Sequence, residues 1–161
     1  VRNLRIPAVK VHPIYLASAT GEPVGGDDGA VRARLGLPPG EFLLYLGGFD
    51  ARKNLSRTMA AYARLVERMR SEGREPPCLV VAGGLPSEDT AFSPDPRRIA
   101  RELGLADRVV FPGRVNEADK AALHRMATAA LFLSEYEGFG LPVLEAMTWA
   151  GQRPLRSDGD A

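Results

Sequence analysis

The segment Glu137-Gly138-Phe139-Gly140-Leu141-Pro142-Val143-Leu144-Glu145 follows the short apolar run of residues 131–133 (LFL). The apolar run suits a buried strand. Gly138 and Gly140 allow a sharp turn that brings backbone N–H groups close to a ligand. Pro142 is favoured at the first position of a helix, and the residues after it are good helix formers. The sequence therefore predicts a strand, a glycine turn and a helix.

Glu137 and Glu145 lie on either side of this turn. We expect the Glu145 side chain to lean back toward the helix N-terminus and the loop that holds Glu137. A helix N-terminus attracts phosphate, and a neighbouring carboxylate is suited to accept hydrogen bonds from sugar hydroxyls. The combination indicates a site for a phosphorylated sugar. An ordinary glycine turn with two solvated acids is the alternative.

Outward from this segment, the chain alternates strands and helices. Strands are predicted at residues 42–46, 78–82, 108–111 and 129–133, and their apolar residues are consecutive rather than alternating, which is typical of strands covered on both faces. Helical patterns separate them, without hairpin signals, and this rhythm predicts βαβ units and a parallel sheet. Residues 10–16, interrupted by Pro13, read as a further short extended segment.

Two of the helices have clear patterns. The first begins after Asn54, a favourable N-cap, and carries a buried stripe composed of Leu55, Met59, Tyr62, Val66 and Met69. The second begins after Asn116, and its predicted buried face is Ala118, Ala122 and Met126. His124 lies outside that face, so we expect it to be exposed. His12 is interpreted in the same way, as a partly exposed residue without a function.

A second candidate loop, residues 47–54 (GGFDARKN), follows the strand at 42–46. It places backbone donors and the cations Arg52 and Lys53 at the end of the sheet where ligands bind in open α/β folds. A diphosphate leaving group needs such neutralisation as its bond breaks. Surface cations at a helix start are the alternative, but the helix dipole disfavours positive charge there, which favours a functional interpretation.

Composition limits the remaining classes of function. The chain has 161 residues, 45% of them hydrophobic, enough for one domain with a core. The 21 basic and 20 acidic residues are nearly balanced, which disfavours nucleic-acid binding. A single cysteine, Cys78, excludes an internal disulfide framework and fits a reducing compartment. With no membrane-spanning stretch or signal peptide, we expect a cytoplasmic location, with peripheral attachment to the inner membrane face left open for a full-length protein.

The nine residues 137–145, EGFGLPVLE, resemble the signature of the retaining, nucleotide-sugar-dependent glycosyl transferases group 1, in which two glutamates enclose seven residues. The resemblance implies the two-lobed GT-B fold, of which this chain is the C-terminal, donor-binding half: a Rossmann-like parallel sheet with helices on both faces. Residues 1–16 would end the inter-lobe linker and form the first strand. Residues 17–150 would form the donor domain, incomplete because its final strand is lacking, and residues 151–161 an irregular tail.

The resemblance also assigns site residues. Lys53 holds the position of the family's phosphate-binding lysine, whereas Gly48 stands where the family commonly has arginine, and Arg52 could replace that cation from the same loop. Catalytic roles are implied for Glu137, Lys53 and Arg52. Donor-binding roles are implied for Gly47, Gly48, Arg52, Lys53, Arg114, Val115, Glu137, Gly138, Phe139, Gly140, Leu141 and Glu145. Of these, Arg114 and Val115 would lie beside the nucleotide base.

The resemblance finally implies partners. The donor would be a GDP- or UDP-linked sugar, with GDP-mannose suggested by the GG…RKN wording, and neither a metal nor another cofactor is expected. The acceptor, a glycan or a lipid-linked sugar, would bind an N-terminal lobe that this chain lacks, so we expect the chain alone to be inactive. The exposed sheet edge suggests self-association. A non-catalytic nucleotide or sugar-phosphate binding module of the same fold is the alternative.

Overall fold

The computed structural model describes residues 7–12, 14 and 26–150. Four strands and five helices alternate along it. The strands are β1 (Phe42–Leu46), β2 (Cys78–Ala82), β3 (Val109–Gly113) and β4 (Ala129–Ala130). The helices are α1 (Asp28–Arg34), α2 (Leu55–Ser71), α3 (Pro96–Glu102), α4 (Glu117–Met126) and α5 (Leu141–Ala150), and 3-10 turns occur at Ala8–Lys10 and Ala51–Lys53.

The strands form one parallel sheet in the order β3-β2-β1-β4. From β1 the chain first moves outward through β2 to β3, and then returns to the other side of β1 for β4. The strand order therefore reverses between β1 and β4, and in open α/β sheets such a reversal opens a crevice at the carboxyl ends of the two strands. The predicted α/β fold with a parallel sheet is confirmed.

Helices cover both faces of the sheet, as predicted. Side chains of α2 and α3 pack with Leu79 and Val81 on one face, whereas Leu123 of α4 packs with Val80 and Ala82 on the other. Neighbouring residues of β2 thus point into opposite layers, and both layers exclude water. This explains why the strand reads as a continuous apolar run.

The structure tests the predicted N-caps of α4 and α2. Asn116 accepts a hydrogen bond from the Asp119 N–H at 2.8 Å, as predicted for the α4 cap. Asn54 does precede α2, but its prediction as a side-chain cap is wrong, since its φ of 57° lies in the left-handed region and no side-chain capping bond forms. An N-cap normally has extended backbone. The Asn54 amide instead donates to the Leu133 carbonyl at 3.2 Å.

Strand β4 is shorter than the predicted 129–133. After the Leu131 N–H donates to the Leu44 carbonyl at 2.7 Å, the chain turns toward the loop that follows β1. The Leu133 carbonyl accepts from Asn54, and the Glu135 N–H donates to the Arg52 carbonyl at 2.8 Å. After residue 131, contacts between the loops thus replace the hydrogen bonds between β4 and β1. The strand therefore ends earlier than predicted.

The N-terminal strand predicted at 10–16 is not seen in its described part, because Lys10 ends a 3-10 turn and residues 11, 12 and 14 belong to no strand. Residue 13 and residues 15–16 lie outside the described residues, as does the tail predicted at 151–161. Over the described ranges, no helix has the length and apolar character needed to cross a membrane.

Candidate functional site

The loops that follow β1 and β4 lie side by side at the carboxyl ends of these adjacent strands. Two hydrogen bonds, from Asn54 to Leu133 and from Glu135 to Arg52, join them. An ion pair between Arg57 and Glu135 at 3.0 Å adds a third link. The structure therefore brings together the two loops that were singled out separately in the sequence.

Lys53 and Glu137 form the closest contact between these loops. The Lys53 Nζ lies 2.6 Å from the Glu137 Oε1, and the side chains are only 22% and 23% exposed. The same ammonium group lies 5.9 Å from the centroid of the Phe132 ring. The hydrogen bond from Lys53, helped by one from Ser134, lowers the pKa of Glu137. Glu137 is thus held ionised beside a cation at the crevice.

Arg52 is placed differently from Lys53. Its side chain is 60% exposed and its Nε donates to Asp50 at 2.9 Å. That hydrogen bond raises the pKa of the guanidinium, and the charge of Glu137 raises it further. An exposed ion pair is weak, so Arg52 can exchange Asp50 for an incoming anion at small cost.

The glycine turns after β1 and β2 pack backbone to backbone. A Cβ built on Gly83 would lie 2.1 Å from the Gly47 carbonyl oxygen, closer than any real contact allows. The Gly47 N–H donates to Ala82 at 3.1 Å, and the Tyr45 hydroxyl donates to the Gly48 carbonyl at 2.9 Å. Gly83 was not predicted as a site residue, yet it determines where the turn after β1 can lie.

The glycine turn before α5 has the predicted form. Gly140 has a φ of 85°, which favours glycine, and its carbonyl accepts from Val143 at 3.0 Å to open the helix. Gly138 and Phe139 are exposed beside it, and Leu141 begins the helix. The turn therefore leaves its backbone accessible next to Glu137.

Glu145 has a partner that the sequence did not suggest. It was expected to face the Glu137 loop, but its Oε1 lies 2.9 Å from the Nζ of Lys120 on α4. Lys120 also contacts Glu117 at 2.7 Å. The i, i+3 spacing of Glu117 and Lys120 is visible in the sequence, whereas the pairing with Glu145 depends on how α5 packs against α4.

His124, predicted to be exposed, is 7% exposed. It lines an apolar cavity between the β1–β4 side of the sheet and α5, and its Nε2 has no hydrogen-bond partner among the described residues. Burial lowers its pKa, which favours the neutral ring. The predicted α4 face is confirmed for Ala122, which is buried, and for Met126, which is partly buried, but not for Ala118, which is exposed. The buried face extends to His124, because α5 packs against α4.

Arg114 and Val115 follow β3, on the far side of β2 from the Lys53–Glu137 pair. The Arg114 guanidinium lies over Gly84, so that a Cβ there would meet it at 3.2 Å. Val115 packs partly buried against the core cluster that contains Leu123. The described residues contain no cluster of three or more His, Cys, Asp or Glu side chains that could hold a metal ion.

A parallel sheet with two charged glycine turns at its strand-order reversal belongs to the open α/β class, in which ligands bind in such a crevice. The sequence matches the family described as "Glycosyl transferases group 1" over residues 29–151. The chain belongs to this family, and its fold corresponds to the C-terminal half of the GT-B architecture.

The chain is also similar to individual proteins of known name. The chain is 36% identical over 122 residues to D-inositol 3-phosphate glycosyltransferase 2 of Catenulispora acidiphila, covering 75% of this chain and 28% of that protein. It is 31% identical over 120 residues to the GDP-mannose:cellobiosyl-diphosphopolyprenol alpha-mannosyltransferase of Xanthomonas oryzae pv. oryzae, covering 74% and 29%. The sucrose-phosphate synthase structure from Thermosynechococcus elongatus matches with a TM-score of 0.58 and 32% identity, covering 74% and 28%. The chain thus spans under a third of these proteins.

Proposed function

We propose that this chain carries the donor site of a retaining glycosyltransferase that transfers a hexose from a nucleotide sugar to a glycan or a lipid-linked acceptor. The observation that carries the proposal is the 2.6 Å Lys53–Glu137 pair at the strand-order reversal. It sets a cation suited to phosphate beside an acid suited to sugar hydroxyls, as the two halves of a nucleotide sugar require.

The proposed roles follow from the positions of the side chains. Lys53 and Arg52 bind the diphosphate, and Glu137 with the N–H groups of residues 138–141 orients the transferred sugar. Glu145 binds the ribose hydroxyls from α5, and residues 114–115 pass the base. Gly47 and Gly48 let the diphosphate approach the backbone of the turn.

The chemistry assigned to the cations is charge neutralisation. When the bond between the sugar and the diphosphate breaks, negative charge grows on the departing phosphate oxygen, and a cation already in place stabilises it. Lys53 is paired with Glu137 before the donor arrives, so the diphosphate must take the ammonium group over from that carboxylate. The proposal requires neither a metal ion nor another cofactor, because Lys53 and Arg52 supply the positive charge.

We propose GDP-mannose as the donor. The Xanthomonas relative, 31% identical over 120 residues, is named for that donor and for mannosyl transfer. The acceptor would bind a lobe outside this chain, so we expect donor binding but no transfer from this chain alone.

We also propose that two copies associate along the β4 edge, where exposed apolar side chains include Val143 and Met147.

Calorimetric titration of the purified chain with GDP, UDP and GDP-mannose tests the donor site. We expect GDP to bind more tightly than UDP, and Lys53→Ala and Glu145→Ala to weaken GDP at least about tenfold, since each removes a charged hydrogen-bonding group. Arg64→Ala is the matched control, because this exposed cation of α2 is assigned no donor contact. A folded chain that binds no nucleotide at millimolar concentration would contradict the proposal.

A further inference from the structure

Lys120 is the one lysine of α4, and it lies between two acids on different elements. Its Nζ contacts Glu145 of α5 at 2.9 Å and Glu117, one turn earlier on its own helix, at 2.7 Å. The Lys120 side chain is only 16% exposed, whereas that of Glu117 is 87% exposed. Glu117 therefore holds the ammonium from the solvent side, and Glu145 holds it from the side of α5.

The charges around Lys120 keep it protonated. Burial alone lowers the pKa of this lysine, but the hydrogen bonds to Glu117 and Glu145 outweigh burial, and the pKa is raised. His124, one turn further along α4, is held neutral by burial, although the charge of Glu145 opposes this effect. Among the described residues that face Glu145 from α4, Lys120 thus provides the permanent positive charge.

This contact limits how Glu145 can move. A glutamate side chain has several rotatable bonds, and ordering it on ligand binding costs affinity unless it is already held. Lys120 contacts Oε1, and a carboxylate has two oxygens with several acceptor positions. Oε2 can therefore accept from a ligand hydroxyl while Oε1 remains bound to Lys120.

We infer that Lys120 is a positioning residue that holds the Glu145 carboxylate in place for the ribose hydroxyls of the donor. The inference rests on the proposed donor site. Lys120 acts through Glu145 and is assigned no contact with the nucleotide. Lys120 should therefore affect only the binding of the ribose. Its loss should change the ratio of the affinities for two nucleotides that differ only in a ribose hydroxyl.

Calorimetry of the chain with GDP and 2′-deoxy-GDP tests the inference. We expect the wild-type protein to prefer GDP about tenfold, the value of one hydrogen bond to a charged group. Lys120→Met, which removes the charge and keeps much of the length, should reduce this preference to within about twofold. Lys120→Arg should retain most of it. Glu117→Gln, which removes the exposed partner of the same lysine, should leave it unchanged.

A folded Lys120→Met protein with the wild-type preference would overturn the inference, and so would a wild-type protein that binds both nucleotides equally. Absence of binding to either nucleotide would instead overturn the proposed function. If Lys120→Met does not fold, the double variant with Glu145→Gln replaces it, because the charge that it leaves without its partner, Glu117, is exposed to solvent. The double variant should match Glu145→Gln alone, and any further change in preference would show that Lys120 does not act through Glu145.

Discussion

At the scale of single residues, the proposed donor site makes Glu137 and the donor diphosphate compete for the ammonium group of Lys53. Glu137 pairs with Lys53, and in the proposed donor site the diphosphate would have to displace it. The sugar of a complete donor then gives Glu137 new partners, whereas a free nucleoside diphosphate does not. The pair should therefore affect the two ligands in opposite directions.

Glu137→Gln is expected to increase the affinity for GDP about threefold to tenfold, because the amide competes less strongly for Lys53. The same change should weaken GDP-mannose, since the orienting carboxylate is lost. Titration calorimetry with both ligands measures the two effects. Asp50→Asn, which removes the partner of the exposed Arg52, serves as a comparison and should strengthen both ligands slightly. Equal weakening of GDP and GDP-mannose by Glu137→Gln would contradict this account.

A second residue-scale feature is structural. Asp119 of α4 is buried and accepts two hydrogen bonds from Arg34 of α1, at 2.5 and 3.1 Å. The hydrogen bonding to Arg34 lowers the pKa of Asp119. A carboxylate whose pKa is lowered by folding contributes stability above its unfolded value of about 3.9, and this contribution is lost as the pH falls through the folded pKa.

Asp119→Asn should lower the free energy of unfolding at pH 7 by about 1–3 kcal/mol, the cost of losing a buried charged hydrogen bond. The difference from wild type should shrink as the pH falls below about 4, because the wild-type carboxylate is then protonated as well. Urea denaturation at several pH values measures it. Glu135→Gln, in an exposed pair with Arg57, should show no measurable loss. A difference that stays constant down to pH 2 would rule out the ion pair as its cause.

At the scale of elements, the turns after β1 and β2 depend on each other through Gly83. Gly83→Ala should lower the free energy of unfolding by at least about 2 kcal/mol, because its Cβ would lie 2.1 Å from the Gly47 carbonyl and the backbone must move. Since the displaced turn leads to Lys53, GDP binding should weaken as well. Thermal unfolding and calorimetry measure the two effects.

The control is Gly40→Ala, where the same methyl group meets nothing within 4 Å and φ is not in the left-handed region. It should change stability by less than about 0.5 kcal/mol and leave binding intact. If Gly83→Ala and Gly40→Ala behave alike, the close packing of the two turns does not restrict the site.

The elements also show how far the sequence could be interpreted. The strands were predictable because a strand buried on both faces is apolar throughout, as in Leu79 and Val80. The early end of β4 was not, because it results from hydrogen bonds between loops far apart in the chain, such as Asn54 to Leu133. Such contacts cannot be predicted from a local sequence pattern.

The candidate site divides in the same way. Lys53, Glu137 and Gly140 were predicted as site residues because glycines and charges follow apolar strands in the sequence. Lys120 and His124 were missed because their surroundings are created by α5 packing on α4. The periodicity within α4 correctly placed Ala122 on the buried face but left His124 outside it. The structure therefore adds the residues that support the site rather than those that form it.

At the scale of the whole molecule, apolar surface concentrates around the last strand. Met147 of α5 is 66% exposed, and Val143, Leu133 and Phe139 are also exposed. Strand β4, which begins this region, is paired within the described residues only with β1. An open edge beside apolar side chains favours pairing with a second copy.

We expect the chain to form dimers in a concentration-dependent manner, with this surface at the interface. Met147→Glu should shift the protein to monomer, because a dimer would bury the introduced charge without a partner. Phe92→Glu removes an equally exposed apolar side chain from the loop after β2 and should leave the dimer intact. Light scattering coupled to size-exclusion chromatography over a hundredfold concentration range measures both. A wild-type protein that stays monomeric throughout, or a dimer lost equally in both variants, would show that the β4 edge is not the contact surface.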